Sequence, residues 1–413
     1  MMKSNSKAIK VVHFADLHLG VENYGKPDAA TGLNQRVIDF LRNLKSLVDF
    51  AIEEDVALVV FCGDAYKNQK PSPTLQRELA KQIKRLTNAG VEVFLLVGNH
   101  DLPQAEKHAH SLSVFSALEA ERVTVGSQMK VYAIETKDGS VDIAAIPHVS
   151  RSAILLREQY RDKTPSEIEE LIGEEIDRRI AELSSELRPD VPAILAAHLT
   201  VSTAVFGSER SALIGNEMTI SPSSLASGAF DYVALGHIHK FQDLSAGYPS
   251  IVYSGSLDRV DFGEENEDKG FCLVSLVKGM TTYKFIKTPA RPFVTINVDC
   301  KTDEPTEEVV SEIEKRELAE AVARLRIRLP AHLKEHLRIE EIRRSLSKAH
   351  YAATVEVEPM GEAVRSRNPR LVESLGPLEA LEEYILTRDD LKPRRQALLE
   401  KAKNLYAEMV AED

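Results

Sequence analysis

Residues 91–101 read VEVFLLVGNHD. The run VEVFLLV suits a strand buried on both faces, as in a parallel sheet. It stops at Gly98 and then gives an amide, an imidazole and a carboxylate in succession: Asn99, His100 and Asp101. One polar cluster after a strand is common turn chemistry. Whether it marks a site depends on what the other strand ends deliver.

Similar β-branched runs recur through the first two thirds of the chain: IKVVHF (9–14), ALVVFC (57–62), VDIAAI (141–146), AILAAH (193–198), DYVALG (231–236) and IVYSG (251–255). Between the first of them lie helical patterns, such as residues 34–52 with Val37, Leu41, Leu44 and Val48 on one face. This alternation predicts an α/β domain. TPSE (164–167) signals a further helix, with a capping box and a proline at its first position. Ile168, Leu171, Ile176, Ile180, Leu183 and Leu187 form its apolar stripe, and Pro189 stops it. Beyond TPARPF (288–293) a smaller α+β pattern follows, with strand-like 293–298, a helix over about 305–322 and strand-like 324–330. Residues 361–370 read as a linker before two helices, about 370–387 and 391–411, the second with Leu391, Leu398, Leu405 and Met409 near heptad spacing. The expected boundaries are 1–288, 289–362 and 363–413.

The polar residues gather where these runs end. Asp16 and His18 follow the first, Asp64 the second, and Asn99 and His100 the third. AILAA ends in His198, and YVAL runs into His237 and His239. In open α/β sheets, catalytic groups collect at the carboxyl ends of strands. Carboxylate, imidazole and amide without thiolate suit Mn²⁺, Fe²⁺ or Zn²⁺. Asp16, His18, Asp64, Asn99, His198, His237 and His239 are too many for one tetrahedral ion. They fit a pair of ions sharing a carboxylate, the arrangement that clamps both oxygens of a phosphoryl displacement.

The ordered blocks DLH, GD, GNHD, H and GHIH resemble the calcineurin-like metallophosphoesterase superfamily over residues 10–240 or so. HFADLHLG, AHLTV (197–201), ALGHIHKFQ (234–242) and YSGSLDRVDFGEENEDKGF (253–271) are similar to the SbcD-type nucleases, the nuclease subunits of SbcCD complexes in double-strand break repair. The resemblance implies a four-layer αββα sandwich, a small α+β cap that contacts DNA, and a helical tail that grips an SbcC-type SMC-like ATPase. It also implies a homodimer acting on DNA ends or hairpins with two Mn²⁺ ions, for which Mg²⁺, Fe²⁺ or Zn²⁺ are alternatives. Residue by residue, it gives one metal Asp16, His18 and His239, the second Asn99, His198 and His237, and both of them Asp64. His100 would stand beside the scissile phosphate and protonate the leaving oxygen. Asp101 would hold the turn. Three residues after Asp64, where related enzymes carry histidine or aspartate, this chain has Lys67, which is assigned to a DNA phosphate or to like-charge repulsion of His100.

Other signals are weaker. Net charge is −12, tryptophan is absent and aromatics are 6%, so any DNA contact would run mainly through phosphates. Cys62, Cys272 and Cys300 lie far apart without CxxC spacing, which favours a reducing compartment, and Cys62 reads as core. No apolar run approaches the ~18–20 residues of a membrane span, and no signal peptide is evident, so a cytoplasmic, nucleoid-associated protein is expected. His13 reads as structural, and His108 and His110 as loop residues. His148 is open, and His332, His336 and His350 have no evident ligand partners. Arg151, Arg259 and the basic residues at 344–348 read either as phosphate contacts or, as charge runs usually are, as solvated. Two other functions compete: a phosphodiesterase for nucleotides or small phosphoesters, and a DNA-end-binding scaffold with weak nuclease activity.

Overall fold

The computed structural model describes residues 8–103, 108–149, 165–207, 219–360, 377–386 and 391–411. Two six-stranded sheets carry most of the chain. In the first, the spatial order is Thr282–Lys287, Gly270–Leu276, Ile9–Phe14, Leu58–Phe61, Glu92–Leu96 and Val123–Gly126. The last four are parallel, and the first two join antiparallel. The second sheet runs Gln242–Asp243, Ser250–Tyr253, Tyr232–Gly236, Ala193–His198, Gly139–Ile146 and Lys130–Thr136. Its four central strands are parallel and its edges antiparallel.

The alternation of side chains along a strand decides the layering. Along Ile9–Phe14, Val12 and Phe14 join a core beneath the helices Gln35–Glu53 and Pro73–Asn88. Ile9 and Val11 face the other way, into a layer between the two sheets that they share with Val60, Phe94, Ile194, Ala196 and Tyr232. The helix Pro165–Glu186 covers the far side of the second sheet through Ile172, Ile176, Ile180 and Leu183. The result is the expected four-layer αββα sandwich. Phe40, Leu44 and Leu47 centre the buried stripe of the first helix, with Leu41 at its margin. Truncating Phe40 to alanine should cost about 3–5 kcal/mol.

A third sheet of three parallel strands, Phe293–Asp299, Val322–Pro330 and Tyr351–Met360, packs with the helices Pro305–Glu314 and Ile339–Leu346 around its own core of Ile296, Val298, Val309, Leu325, Ile327 and Ile342. The helix expected over 305–322 ends at Glu314, because Ala321 and Val322 turn into the strand that pairs with Phe293. Arg291 ties this unit to the sandwich by donating to both oxygens of the buried Asp39 at 2.6 and 2.7 Å. Tyr24, Phe262, Phe293 and Val322 make an apolar contact beside it.

The tail contains helices Pro377–Leu386 and Arg395–Ala411, joined by an ion pair between Arg395 and Glu382. The linker expected at 361–370, Thr164, Arg151 and the side chains of Leu405 and Met409 lie outside the described residues. No helix among the described residues is long and apolar enough to cross a membrane.

Candidate metal centre

All the expected ligands sit at or just past the carboxyl ends of central parallel strands of the two sheets. Turning there is costly. Asp16, His18, Asp64 and His237 adopt φ of 51°, 44°, 62° and 99°, the left-handed region that side chains avoid at about 1–2 kcal/mol each. Hydrogen bonds lock the turns. Asp16 N donates to Gly63 O and His18 N to Asp64 O, both at 3.0 Å, so the first two loops are zipped together. His237 N donates to both Asp16 oxygens at 3.0 and 3.1 Å, binding the second sheet to the first. The glycines before Asp64 and Asn99 are steric necessities. A Cβ on Gly63 would collide with the His198 ring, and one on Gly98 would collide with the Asp64 carboxylate and lie 2.5 Å from its N.

Asp101 holds the third loop to the second. Its carboxylate accepts from Gly98 N at 3.0 Å, Asp64 N at 2.9 Å, Ala65 N at 3.2 Å and the Ser111 hydroxyl at 2.8 Å. Burial and the neighbouring Asp64 charge push its carboxyl up to about 6. It is the turn residue expected, with no oxygen left for chemistry.

The candidate ligand atoms form overlapping groups, two of which hold the expected ligands while a third joins His18, Asp64 and His100. Asp16, His18 and His239 converge on one side, and Asp64, His198 and His237 on the other, with ligand atoms inside each group within 4.8 Å of one another. His18 Nε2 lies 2.9 Å from His239 Nε2. Asn99 Oδ1 lies 2.8 Å from His198 Nε2 and 3.1 Å from His237 Nδ1. A single oxygen, Asp64 Oδ2, stands 3.6 Å from His18 Nε2 and 3.5 Å from His198 Nε2, between the groups. Ligands about 2.1 Å from a common cation are separated by roughly 3.0 Å at octahedral and 3.4 Å at tetrahedral angles. The observed spacings fall around those values.

Hydrogen bonds to the far side of two of the rings leave lone pairs pointing inward. His198 Nδ1 donates to Cys62 O at 2.7 Å, so its Nε2 faces the Asn99 oxygen. His239 Nδ1 donates to the Glu264 carboxylate at 2.8 Å, so its Nε2 faces His18. Two lone pairs at such distances require a proton or a cation between them. The proton affinities agree. Burial alone would depress His198, but the Asp64 and Asp16 carboxylates outweigh it and lift the ring to about 9. Burial would raise Asp64, yet His198, His18 and His100 hold it well below the usual carboxylate range. Burial raises Asp16 and pushes His18 well below its ordinary value. The donor set fits a pair of divalent cations.

His100 belongs to neither expected ligand set, yet it groups with His18 and Asp64, its ring 4.8 Å from that of His18 and edge-on to it. Its Nδ1 donates to the main-chain carbonyl of Lys67 at 2.8 Å, and its N donates to Asp64 Oδ1 at 2.8 Å. What stands three residues after Asp64 therefore acts on His100 through its backbone. The Lys67 side chain is half-buried and makes no hydrogen bond or ion pair among the described residues.

Several residues take clearer places. His13 is buried between the sheets, bonded to Tyr232 Oη at 3.1 Å and Leu235 O at 3.2 Å. Cys62 is core. Arg259, expected on a solvated face, instead donates to the carbonyls of Glu264, Glu267 and Arg291. His148 lies with its ring 6.0 Å from those of both His198 and His237, beside the second group. Sequence reasoning missed Glu264 and Lys269. Both lie in DFGEENEDKGF (261–271), where a run of charges reads as solvent-facing, yet both are buried. Burial would raise the Glu264 carboxyl, but Lys269 and His239 hold it well below its ordinary range.

Comparison with known proteins places the chain in a family. The family model described as calcineurin-like phosphoesterase matches residues 9–241. A Bacillus subtilis (strain 168) protein described as "Uncharacterized metallophosphoesterase YhaO" is 28% identical over 286 residues, 66% of this chain and 59% of its own length. The chain thus spans less than two thirds of that relative. Among solved structures, a dimetal phosphatase from Danio rerio aligns with 13% identity and a TM-score of 0.42, over 68% of this chain and 98% of its own. The protein TT1561 of Thermus thermophilus aligns with 14% identity and a TM-score of 0.39, over 68% of this chain and 99% of its own.

Proposed function

The chain belongs to the calcineurin-like phosphoesterase family, and from that premise we propose that it is a two-metal phosphodiester hydrolase acting on DNA, a Mn²⁺-dependent nuclease of the SbcD type. One observation supports the hydrolase reading: a single Asp64 oxygen stands between two ligand groups, with His100 beside it and within reach of His18 and Asp64. Asp16, His18 and His239 would hold one ion and Asn99, His198 and His237 the other, with Asp64 touching both. When bound, the ions supply Lewis acidity to the phosphoryl oxygens and acidify the attacking water. His100, fixed through Nδ1–H by the Lys67 carbonyl, would deliver a proton to the leaving oxygen from Nε2 when the ring carries a second proton as imidazolium, and is left neutral by the transfer.

DNA as substrate rests on the sequence blocks shared with SbcD-type nucleases and on what the chain adds to the sandwich. In this reading residues 289–362 contact DNA ends or hairpins, 363–413 dock on the SMC-like ATPase, and the chain works as a homodimer in the cytoplasm. A second reading, a phosphodiesterase for nucleotides or other small phosphoesters, draws on charge. The third sheet's outward arginines Arg326 and Arg328 are matched by Glu356 and Asp299, and net charge is −12. Hydrolysis of linear and hairpin DNA should be compared with that of bis(p-nitrophenyl) phosphate, with and without the ATPase. The nuclease reading expects Mn²⁺-dependent DNA cleavage that falls about 10²–10⁴-fold in His100→Ala. Turnover of the dye ester with none of DNA would leave the second reading standing.

A further inference from the structure

Resting on the metal-centre reading above, we propose that Glu264, clamped by Lys269, is the positioning residue that fixes the tautomer and ring orientation of His239 and so sets the affinity of one of the two metal sites. The Glu264 carboxylate can only accept, so its 2.8 Å bond to His239 Nδ1 places the ring proton there and leaves the Nε2 lone pair facing His18. Glu264 is itself fixed from two other directions. Its Oε2 accepts from Val260 N at 2.9 Å and pairs with Lys269 Nζ at 2.8 Å.

Lys269 does more than neutralise that charge. Its Nζ also donates to the main-chain carbonyl of His239 at 3.0 Å and to Glu267 Oε2 at 2.8 Å. The histidine is thus held at its ring by one member of the pair and at its backbone by the other. Both members are almost fully buried, at 0% and 2% exposure, where an unmatched charge would be strongly disfavoured. Glu264 ends the short 3-10 turn Phe262–Glu264, whose Phe262 is wedged against Tyr24 and Phe293, so the carboxylate rides on a packed support. His198, on the other side of the centre, receives its orientation from a carbonyl, Cys62 O. The two sites are therefore tuned differently, and only the one holding His239 should respond to changes at Glu264. Partners of this kind typically change metal affinity by about 10–100-fold when removed.

The test is calorimetric titration of metal-free protein with Mn²⁺, beside chemical unfolding in EDTA. Wild type should take up two ions. Glu264→Gln should bind one as wild type does and the other about 10–100-fold more weakly. Because Glu264→Gln leaves Lys269 less well matched and could impair folding, a Glu264→Gln/Lys269→Met variant removes both charges, and it should show the same selective loss. Wild-type affinity for both ions in a folded variant, or equal weakening of both, overturns the inference while the metal centre stands. Failure of wild type to bind Mn²⁺ overturns the metal-centre reading itself.

Discussion

His13 allows the space between the two sheets to be tested by titration. Its ring is fully buried and bonded to Tyr232 Oη and Leu235 O, and burial drops its pKa to about 3, the Leu235 carbonyl opposing only in part. An unfolded chain offers the same imidazole at about 6.5. Because the folded value lies below the unfolded one, the unfolded state takes up the proton first. The stability contribution is complete above about pH 6.5 and is lost as pH falls toward 3. Between pH 7 and pH 5 the loss from this one ring is about 2 kcal/mol, since the neutral fraction of the unfolded ring falls about 25-fold while the folded ring stays neutral. Other groups titrate in the same window, so the comparison must be a difference. Urea unfolding in EDTA at pH 7 and pH 5 should be run on wild type and on His13→Gln. The substitution will shift stability at both pH values, but the change between them should be about 2 kcal/mol smaller in the variant. Equal pH dependence in the two proteins would mean that the ring is protonated or solvated when folded, and the packing of His13 against the second sheet would be wrong.

Further tests bear on the centre. Adding Mn²⁺ at about a hundredfold over its dissociation constant should raise unfolding stability by roughly 2.7 kcal/mol per site, and a chelator should reverse this without unfolding the protein. Gly98→Ala should abolish tight metal uptake and destabilise the fold by about 3 kcal/mol or more, since the new methyl and the Asp64 carboxylate compete for one space. Uptake at wild-type affinity would show that the loops are looser than described. Lys67→Ala should keep turnover of bis(p-nitrophenyl) phosphate within about threefold, because the carbonyl that holds His100 remains. A salt-dependent fall in DNA affinity alone would assign the side chain to phosphate, whereas a large loss on the dye ester would contradict backbone positioning.

The sandwich was legible where burial writes itself as composition. Runs such as VEVFLLV and AILAAH are apolar on both faces because each strand is covered by helices on one side and by the other sheet on the other. The candidate ligands were legible because each is a polar residue at the end of such a run, and the structure brings them together. Periodicity failed where local pattern and pairing disagreed. The helix from Pro305 looked longer than it is, since nothing local announces that Val322 must align with Phe293. The edge strands Lys130–Thr136 and Thr282–Lys287 are only partly buried and carry mixed polar residues, so their runs are weak. Glu264 and Lys269 were hidden for a different reason. Their burial depends on partners of opposite charge brought together by a turn, and charge in a sequence does not say whether it faces water.

The ligand loops are set by contacts that need no ion. Asp16 N to Gly63 O, His18 N to Asp64 O, Leu19 N to Ala65 O and Lys67 N to Leu19 O zip the first two loops. Asp101 binds the second loop to the third, and Asp16 binds the first to His237 across the sheets. Four left-handed turns at about 1–2 kcal/mol each oppose this arrangement. The turns are held against that cost by these main-chain and carboxylate hydrogen bonds and by the buried strands on which they sit. Small metal-folded domains, which unfold when stripped, work the other way. Here metal binding would not have to order the loops. Cation binding would instead have to displace the proton that the Asp64 and Asp16 carboxylates favour on His198, so metal uptake should release a proton, which pH-stat titration with Mn²⁺ would detect.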